Sequence, residues 1–169
     1  MRTLKTLSCI SAGVLLALAG GAQAATRTAN FNVTANVAAN CQVSASDLAF
    51  GAFDGETAIN STSIVGVRCT TGSPYTLSLN VGTGGGTFAA RTLANGANTL
   101  LYNLYRNAAR TEVWGDGTAS TFTVGGTGAG MGLPQTVDHT VYGALPATGN
   151  ENAQSGLTYA SVVQVTVTY

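Results

Sequence analysis

The sequence predicts an all-β fold of the sandwich type for everything after its first 24 residues. Apolar and polar residues alternate with a period of two in several short runs, and no later segment has the 3.6-residue period of an amphipathic helix. Charged residues make up only 8% of the chain, against about 25% in a typical globular protein. Ser, Thr, Asn and Gly occupy the polar positions instead, a composition that is typical of β-sandwiches.

The chain begins with the pattern of a signal peptide for export. Arg2 and Lys5 make the start positively charged, Ile10–Ala19 is a short apolar run, and Ala22-Gln23-Ala24 is a small-x-small cleavage site. The apolar run is too short to span a bilayer comfortably. We therefore expect cleavage after this site, which leaves a mature chain of one domain.

The alternating runs are the predicted extended segments, and turn residues separate them. In chain order they are Phe31–Val37, Ser63–Cys69, Tyr75–Val81, Leu100–Arg106, Ser120–Val124, Thr136–Leu145 and Ser161–Tyr169. The turn Gly72-Ser73-Pro74 precedes the third run, and Gly82–Gly86 ends it. Trp114–Gly117 is predicted to be a turn, and Pro146 stops the sixth run.

The first and last runs are predicted to leave a sheet edge unpaired. In both, apolar residues occupy the odd positions, which predicts one buried face and one solvent face. No residues follow the last run to pair with it as a further hairpin strand, and the first run precedes the cysteines of the mature chain. An unpaired edge of this kind is normally avoided, or is used to bind a partner strand.

Cysteine usage agrees with export. Cys9 leaves with the signal peptide, so that Cys41 and Cys69 remain as an even pair in an oxidising compartment. Two free thiols or half a metal site are the alternatives. A zinc site needs more ligands, and His139 is the only histidine. We predict a disulfide between the two cysteines.

No group of residues predicts catalysis or cofactor binding. His139 has Asp138 beside it, and adjacent strand residues point to opposite faces, so we expect a solvent-facing histidine without a catalytic partner. Gly125–Gly132 lacks the Gly-Lys-Ser/Thr ending of a phosphate-binding loop and the Gly-x-Gly-x-x-Gly spacing. We expect this segment to be a flexible loop, and we expect no enzyme, cofactor or metal.

The charge balance argues against nucleic acid and anionic membranes as partners. The mature chain keeps five arginines, seven acidic residues and no lysine, which gives a small net negative charge. Both of those partners require clustered basic side chains, and the sequence has no such cluster.

Several stretches of the chain resemble the spore coat protein U family, which includes the pilins of archaic chaperone–usher fibres. They cover nearly the whole mature chain and are Phe31–Phe53, Val67–Thr70, Leu101–Arg106, Arg110–Gly117, Thr140–Pro146 and Val165–Tyr169. The combination of Asn-Cys-x-Val, Leu-Tyr-Asn-Leu-Tyr and Arg-Thr-x-x-Trp-Gly-Asp-Gly carries the resemblance.

The resemblance implies an immunoglobulin-like sandwich that lacks its final strand. A periplasmic chaperone would lend a strand, and the N-terminal segment of the next subunit would later replace it. The implied organisation is a signal peptide at 1–24, a donor-strand segment at 25–40 and the sandwich at 41–169. The implied donor side chains are Phe31, Val33, Ala35 and Val37.

The residues implied to line the receiving groove and to meet the chaperone lie near the C-terminus. They are Gly156, Val163, Val165, Val167 and Tyr169. Gly156 lies fourteenth from the end, where many pilins have a glycine, whereas the tyrosine is last here and penultimate in classical pilins. The register of the chaperone strand is therefore left open.

The implied function is that of a structural, non-enzymatic subunit of an extracellular fibre that supports adhesion and biofilm formation. Its implied partners are the chaperone, an outer-membrane usher and other subunits, with export through the periplasm. The alternative is a self-complete secreted binding module or coat protein. In that case Phe31–Val37 would be an ordinary first strand paired beside Ser161–Tyr169, and no groove would remain.

Overall fold

The computed structural model describes residues 23–169, so the predicted signal peptide lies almost wholly outside the described residues. Residues 36–169 form one unit, and the residues before them belong to a separate N-terminal unit. Residues 23–40 contain no helix or strand, and all of them are exposed. In the described part of the chain no helix is long and apolar enough to cross a membrane.

Eight strands between residues 41 and 168 form two antiparallel sheets. They are β1 Cys41–Ala45, β2 Ile59–Cys69, β3 Pro74–Leu79, β4 Arg91–Asn95, β5 Asn98–Tyr105, β6 Val124–Thr127, β7 Val137–Leu145 and β8 Val165–Thr168. One sheet has the order β1-β2-β7-β5-β4, and the other has the order β6-β3-β8. A 3-10 turn at Leu133–Gln135 is the one helical element of the described residues. The prediction of an all-β sandwich is confirmed.

The core lies between the two sheets and follows the predicted alternation. Val65, Val67 and Cys69 of β2 and Tyr75, Leu77 and Leu79 of β3 all belong to it, and all six are buried. Trp114 is fully buried and its indole N–H donates to the carbonyl oxygen of Leu77 at 3.3 Å. The core therefore joins the two sheets by apolar contacts whose positions the two-residue period predicts.

Cys41 and Cys69 form the predicted disulfide. They are direct partners in the ladder between β1 and β2, the first pair of its register. The bond therefore ties β1, an end strand of the five-stranded sheet, to the strand beside it.

Arg91 lies fully buried at the start of β4. Its guanidinium donates to the side-chain oxygen of Asn103 at 2.7 Å and to the carbonyl oxygens of Trp114 at 2.8 Å and Asn80 at 3.0 Å. Burial lowers the pKa of Arg91, and its hydrogen-bond acceptors are all neutral. Asn80 follows β3 and Asn103 belongs to β5, so this one side chain connects the two sheets.

Two predictions around β6 are wrong. A strand at Ser120–Val124 is predicted from the fifth run, but Ser120 has a φ of 60° and lies in a turn, and the strand begins only at Val124. The predicted flexible loop starts too early, because Gly125 and Gly126 belong to β6 and pair with β3. The ring of Tyr75 explains why position 126 is a glycine, since a β-carbon at Gly126 would overlap the tyrosine oxygen.

The prediction of a solvent-facing His139 is also wrong. His139 is half-buried in β7, on the same face as Val141 and Leu145. Its Nε2 lies 2.8 Å from the hydroxyl of Tyr75 in β3, so a hydrogen bond crosses between the sheets. No local pattern indicates this partner, because the two residues are 64 positions apart.

The histidine makes stability depend on pH. Burial lowers the pKa of His139 below its ordinary value of 6.5, and this outweighs the opposite effect of Asp138. The unfolded chain therefore binds a proton at a higher pH than the folded chain, so stability is present above pH 6.5 and decreases as pH falls towards the folded pKa. We expect the urea concentration at the unfolding midpoint to decrease as the pH is lowered from about 7 to about 5. The His139→Gln variant should show a smaller decrease. Equal pH profiles for both proteins would contradict this prediction.

Candidate functional site

A groove of about 250 Å³ lies at the edge of the sandwich where β1 and β8 come together. These are the end strands of the two sheets. The lining is mostly apolar, and we call this feature the edge groove. Its lining includes Ala45, Leu48, Phe50, Val65, Leu79, Leu93, Tyr102, Leu104, Val141, Val163 and Val165.

One side of the edge groove is formed by residues 161–165, at the start of the final extended segment. β8 pairs antiparallel with β3, and within residues 23–169 it has no ladder partner on its other side. Before β8 the pairing combines backbone and side-chain hydrogen bonds. The Gln164 N–H donates to Asn80 Oδ1 and the Val162 N–H donates to Thr83 Oγ1, both at 2.9 Å, while the N–H groups of Asn80 and Thr83 donate to the carbonyls of Gln164 and Val162. Within the described residues, the segment thus has one hydrogen-bonded edge and one edge without a ladder partner.

The other side is formed by Ala45, the last residue of β1, and by residues 46–50, which are not part of a strand. Two serines of β2 hold this segment, since Ser61 Oγ donates to the carbonyl of Ala49 at 2.7 Å and Ser63 Oγ donates to that of Ser46 at 2.6 Å. The ring of Phe50 contacts the ring of Tyr102 edge-on, at 6.1 Å between centroids. No role is predicted for these residues from the sequence, although the apolar alternation of Leu48 and Phe50 is a usable signal.

The structure brings some of the predicted groove residues together and separates others. Val163 and Val165 line the edge groove. Val167 is half-buried against the core, and Tyr169 is 56% exposed. Gly156 lies in an exposed turn with a φ of 77°, a conformation that favours glycine. The role of these five residues in a receiving groove stays a prediction.

Three of the four predicted donor side chains are the most exposed large apolar groups in the described residues. Phe31 is 85% exposed, and Val33 and Val37 are each 82% exposed. Ala35 is exposed as well, and none of the four lies in a strand. An exposed apolar stripe of this kind is rare on monomers and usually marks a site for a partner.

The residues that follow the donor run are held by Thr70, which comes directly after β2. The Thr70 N–H donates to the carbonyl of Asn40 at 2.9 Å, and the Asn40 N–H donates to Thr70 Oγ1 at 3.1 Å. These bonds continue the pairing of β1 with β2 by one residue beyond the disulfide. The chain is therefore anchored at Asn40, immediately before β1.

The edge groove offers apolar surface and unpaired backbone groups. Within residues 23–169 no group of three or more His, Cys, Asp and Glu side chains is placed to hold a metal ion. Asp47 is the one acidic residue of the lining. Chemically, this arrangement is suited to an extended peptide whose side chains alternate between apolar and polar.

Comparison with known proteins gives a consistent family and fold. Residues 27–166 match the model of the Spore Coat Protein U domain. Protein U of Myxococcus xanthus is 34% identical over an alignment of 191 positions that covers both chains completely. Among solved structures, the chain is similar to one from the CsuC–CsuE chaperone–tip adhesion subunit pre-assembly complex of the archaic chaperone-usher Csu pili of Acinetobacter baumannii. That match has a TM-score of 0.56 and 21% identity, and covers 79% of this chain but 40% of the other.

Proposed function

We propose that this chain, which belongs to the Spore Coat Protein U domain family, is a structural subunit of an extracellular fibre assembled by strand donation. The observation that carries the proposal is the apolar edge groove beside the unpaired edge of β8. The likeness to a solved pilus complex supports the fold on which the proposal depends.

A strand laid into the edge groove would satisfy two requirements of this edge at once. Its backbone would pair with the free N–H and C=O groups of β8, and its apolar side chains would cover Val163 and Val165. Each buried methylene group contributes about 0.8 kcal/mol, so a few side chains stabilise such a complex substantially. This is binding by β-augmentation, in which backbone pairing gives affinity and side-chain pockets give specificity.

The N-terminal segment has the properties of the strand that would be donated. Phe31, Val33 and Val37 alternate with polar residues and are exposed to solvent, so that burying them in another subunit is favourable. We therefore assign residues 25–40 as the donor segment and residues 41–169 as the receiving domain. In a fibre, each copy would donate to one neighbour and receive from the other, as an open head-to-tail assembly requires.

The edge groove is also where the proposed partners would bind in turn during export and assembly. A periplasmic chaperone would cover the edge groove after export and removal of residues 1–24. An outer-membrane usher would then exchange the chaperone for the next subunit. The assembled fibre would support adhesion and biofilm formation at the cell surface, and we propose no enzymatic activity.

The second candidate is a secreted coat protein that does not polymerise by donation. The description of the family and the name of its Myxococcus xanthus relative favour this candidate. It requires the edge groove to be filled by the chain's own residues or to stay unused. Isolation of the exported protein distinguishes the two, because a self-complete module is monomeric when purified and a donor-strand subunit is polymeric or bound to a chaperone.

A valine and the glutamine next to it test the receiving groove. Val163 lines the edge groove and is half-buried, whereas Gln164 is exposed and does not line the groove. A lone carboxylate at position 163 would be buried by the incoming strand, so we expect Val163→Asp to reduce polymer yield at least about a hundredfold. Gln164→Asp should polymerise nearly as the unsubstituted chain does, because an exposed carboxylate outside the groove changes little.

Polymer yield is measured by size-exclusion chromatography and electron microscopy of the exported proteins. Thermal unfolding of the soluble fractions shows whether each variant still folds. Polymerisation of a folded Val163→Asp variant at the unsubstituted level would refute the assignment of the edge groove.

A further inference from the structure

The hydroxyl of Tyr102 is buried in the edge groove and has no hydrogen-bond partner among the described residues. Tyr102 is 4% exposed, and its oxygen is the one buried side-chain nitrogen or oxygen atom between residues 23 and 169 that lacks a hydrogen-bond partner. Native structures usually satisfy such groups, because an unmade hydrogen bond in a buried place is unfavourable. The Tyr102 hydroxyl departs from this rule at the place where a strand would be received.

The hydroxyl lies beside the residues that line one side of the groove. A β-carbon placed on Gly82 would be 3.2 Å from the Tyr102 oxygen, 2.5 Å from Ser161 Oγ and 3.2 Å from Val163 Cγ2. Ser161 Oγ accepts a hydrogen bond from the N–H of Gly84 at 3.0 Å, so its own proton is free to be donated. Two hydroxyl groups thus lie near each other in a groove whose lining is otherwise mostly apolar.

We propose that Tyr102 and Ser161 form a polar subsite that receives Ala35 of the strand donated by a second copy, with one water bound to the Tyr102 hydroxyl beneath it. The inference rests on the proposed function. An inserted strand closes the groove to bulk water, so the partner of the hydroxyl must be enclosed with it. Among Phe31, Val33, Ala35 and Val37, alanine has the smallest side chain and therefore leaves the most room for that water.

The three larger donor side chains belong over the apolar part of the groove. Leu48, Phe50 and Leu104 provide that surface. A valine or phenylalanine over the subsite would instead leave no space for the water and would leave the Tyr102 hydroxyl without a partner. The subsite therefore fixes which donor position lies over Tyr102, and it selects strands with a small residue there.

The test uses the full chain carrying Val33→Asp as the acceptor, because this substitution is expected to disable its own donor segment. The probes are synthetic peptides that span residues 29–38, one with the natural sequence and four with serine at position 31, 33, 35 or 37. Affinities are measured by fluorescence anisotropy against this acceptor and against the same acceptor with Tyr102→Phe.

We expect the Ala35→Ser peptide to bind the Tyr102 acceptor at least as tightly as the natural peptide, because its hydroxyl replaces the water. The same peptide should bind roughly fivefold to tenfold more weakly to the Tyr102→Phe acceptor. Serine at the other three positions should weaken binding to both acceptors by equal factors. If each serine substitution changed the affinity for the two acceptors by equal factors at all four positions, the subsite would be overturned. If the two acceptors differed instead for serine at position 31, 33 or 37, the assignment of Ala35 would be overturned.

Two controls distinguish the subsite from a structural role of Tyr102 and from a failure of strand donation. The unfolding midpoint of the free Tyr102→Phe chain should equal or exceed that of its parent, because the chain loses a buried hydroxyl that makes no hydrogen bond. A lowered midpoint would show a structural role instead. Failure of the natural peptide to bind the Val33→Asp chain would refute the proposed function. If that peptide bound, but serine at position 35 changed the affinity for both acceptors by the same factor, only the subsite would be refuted.

Discussion

Val33→Asp is expected to abolish polymerisation of the exported chain while the subunit itself stays folded. Val33 is 82% exposed and lies in no strand, so a carboxylate at this position leaves the sandwich of residues 41–169 unchanged. In the fibre the same side chain would enter an apolar groove, where an unpaired charge costs several kcal/mol. A cost of that size corresponds to at least a hundredfold loss of assembly.

Thr34→Asp is the matched control, because it introduces the same charge one residue away on the polar face of the donor run. We expect its polymer yield to stay within about a factor of two of the unsubstituted chain, since an exposed carboxylate changes little. Electron microscopy and sedimentation of the exported proteins give the yields. If the two variants polymerised equally, the donor role of Phe31–Val37 would be refuted.

Loss of the disulfide is expected to have the second-largest effect. Cys41 and Cys69 are separated by 28 positions, and closing a loop of this size stabilises a protein by about 3–4 kcal/mol in the chain-entropy model. We expect Cys41→Ser to lower the free energy of unfolding by this amount and to reduce periplasmic levels sharply. The bond also holds β1, which borders the edge groove, so assembly should suffer beyond the loss of stability.

Urea unfolding under oxidising conditions measures this effect. The double variant Cys41→Ser, Cys69→Ser controls for the chemistry of a single free thiol, and the reduced natural chain controls for the serine side chains. All three should unfold at the same lowered midpoint. A midpoint for Cys41→Ser equal to that of the oxidised natural chain would show that the bond contributes nothing.

Most strands could be predicted from the sequence because their burial follows the two-residue period. Ser63–Cys69, Tyr75–Val81 and Thr136–Leu145 lie within or largely overlap β2, β3 and β7, whose inner faces supply much of the core. β4 could not be predicted, because Arg91 and Asn95 interrupt its apolar pattern. The burial of Arg91 depends on acceptors from three distant segments, which no local pattern contains.

The candidate site was only partly predictable for the same reason. Alternation placed Val163 and Val165 on one face of the last run, and the family resemblance implied that they line a groove. Alternation could not identify Tyr102, Phe50 or Ser161, because the groove forms where separate segments of both sheets meet. Such groove residues can be identified only once the topology of the two sheets is known.

The burial of Arg91 has a consequence for the conditions that the protein withstands. Its guanidinium is surrounded by carbonyl and amide oxygens, which take the place of the water molecules that would hydrate a free cation. None of these oxygens gains a proton as the medium becomes acidic, whereas the carboxylate of an ordinary ion pair would.

The connection that Arg91 makes between the two sheets is therefore insensitive to the acidity of the surroundings, and it contains no ion pair for salt to screen. Lysine could not replace the arginine, because its compact ammonium group lacks the planar fork that reaches several acceptors at once. A particle built from many such domains would have this acid-resistant connection in every repeat, and its sensitivity to acid would lie elsewhere, at His139.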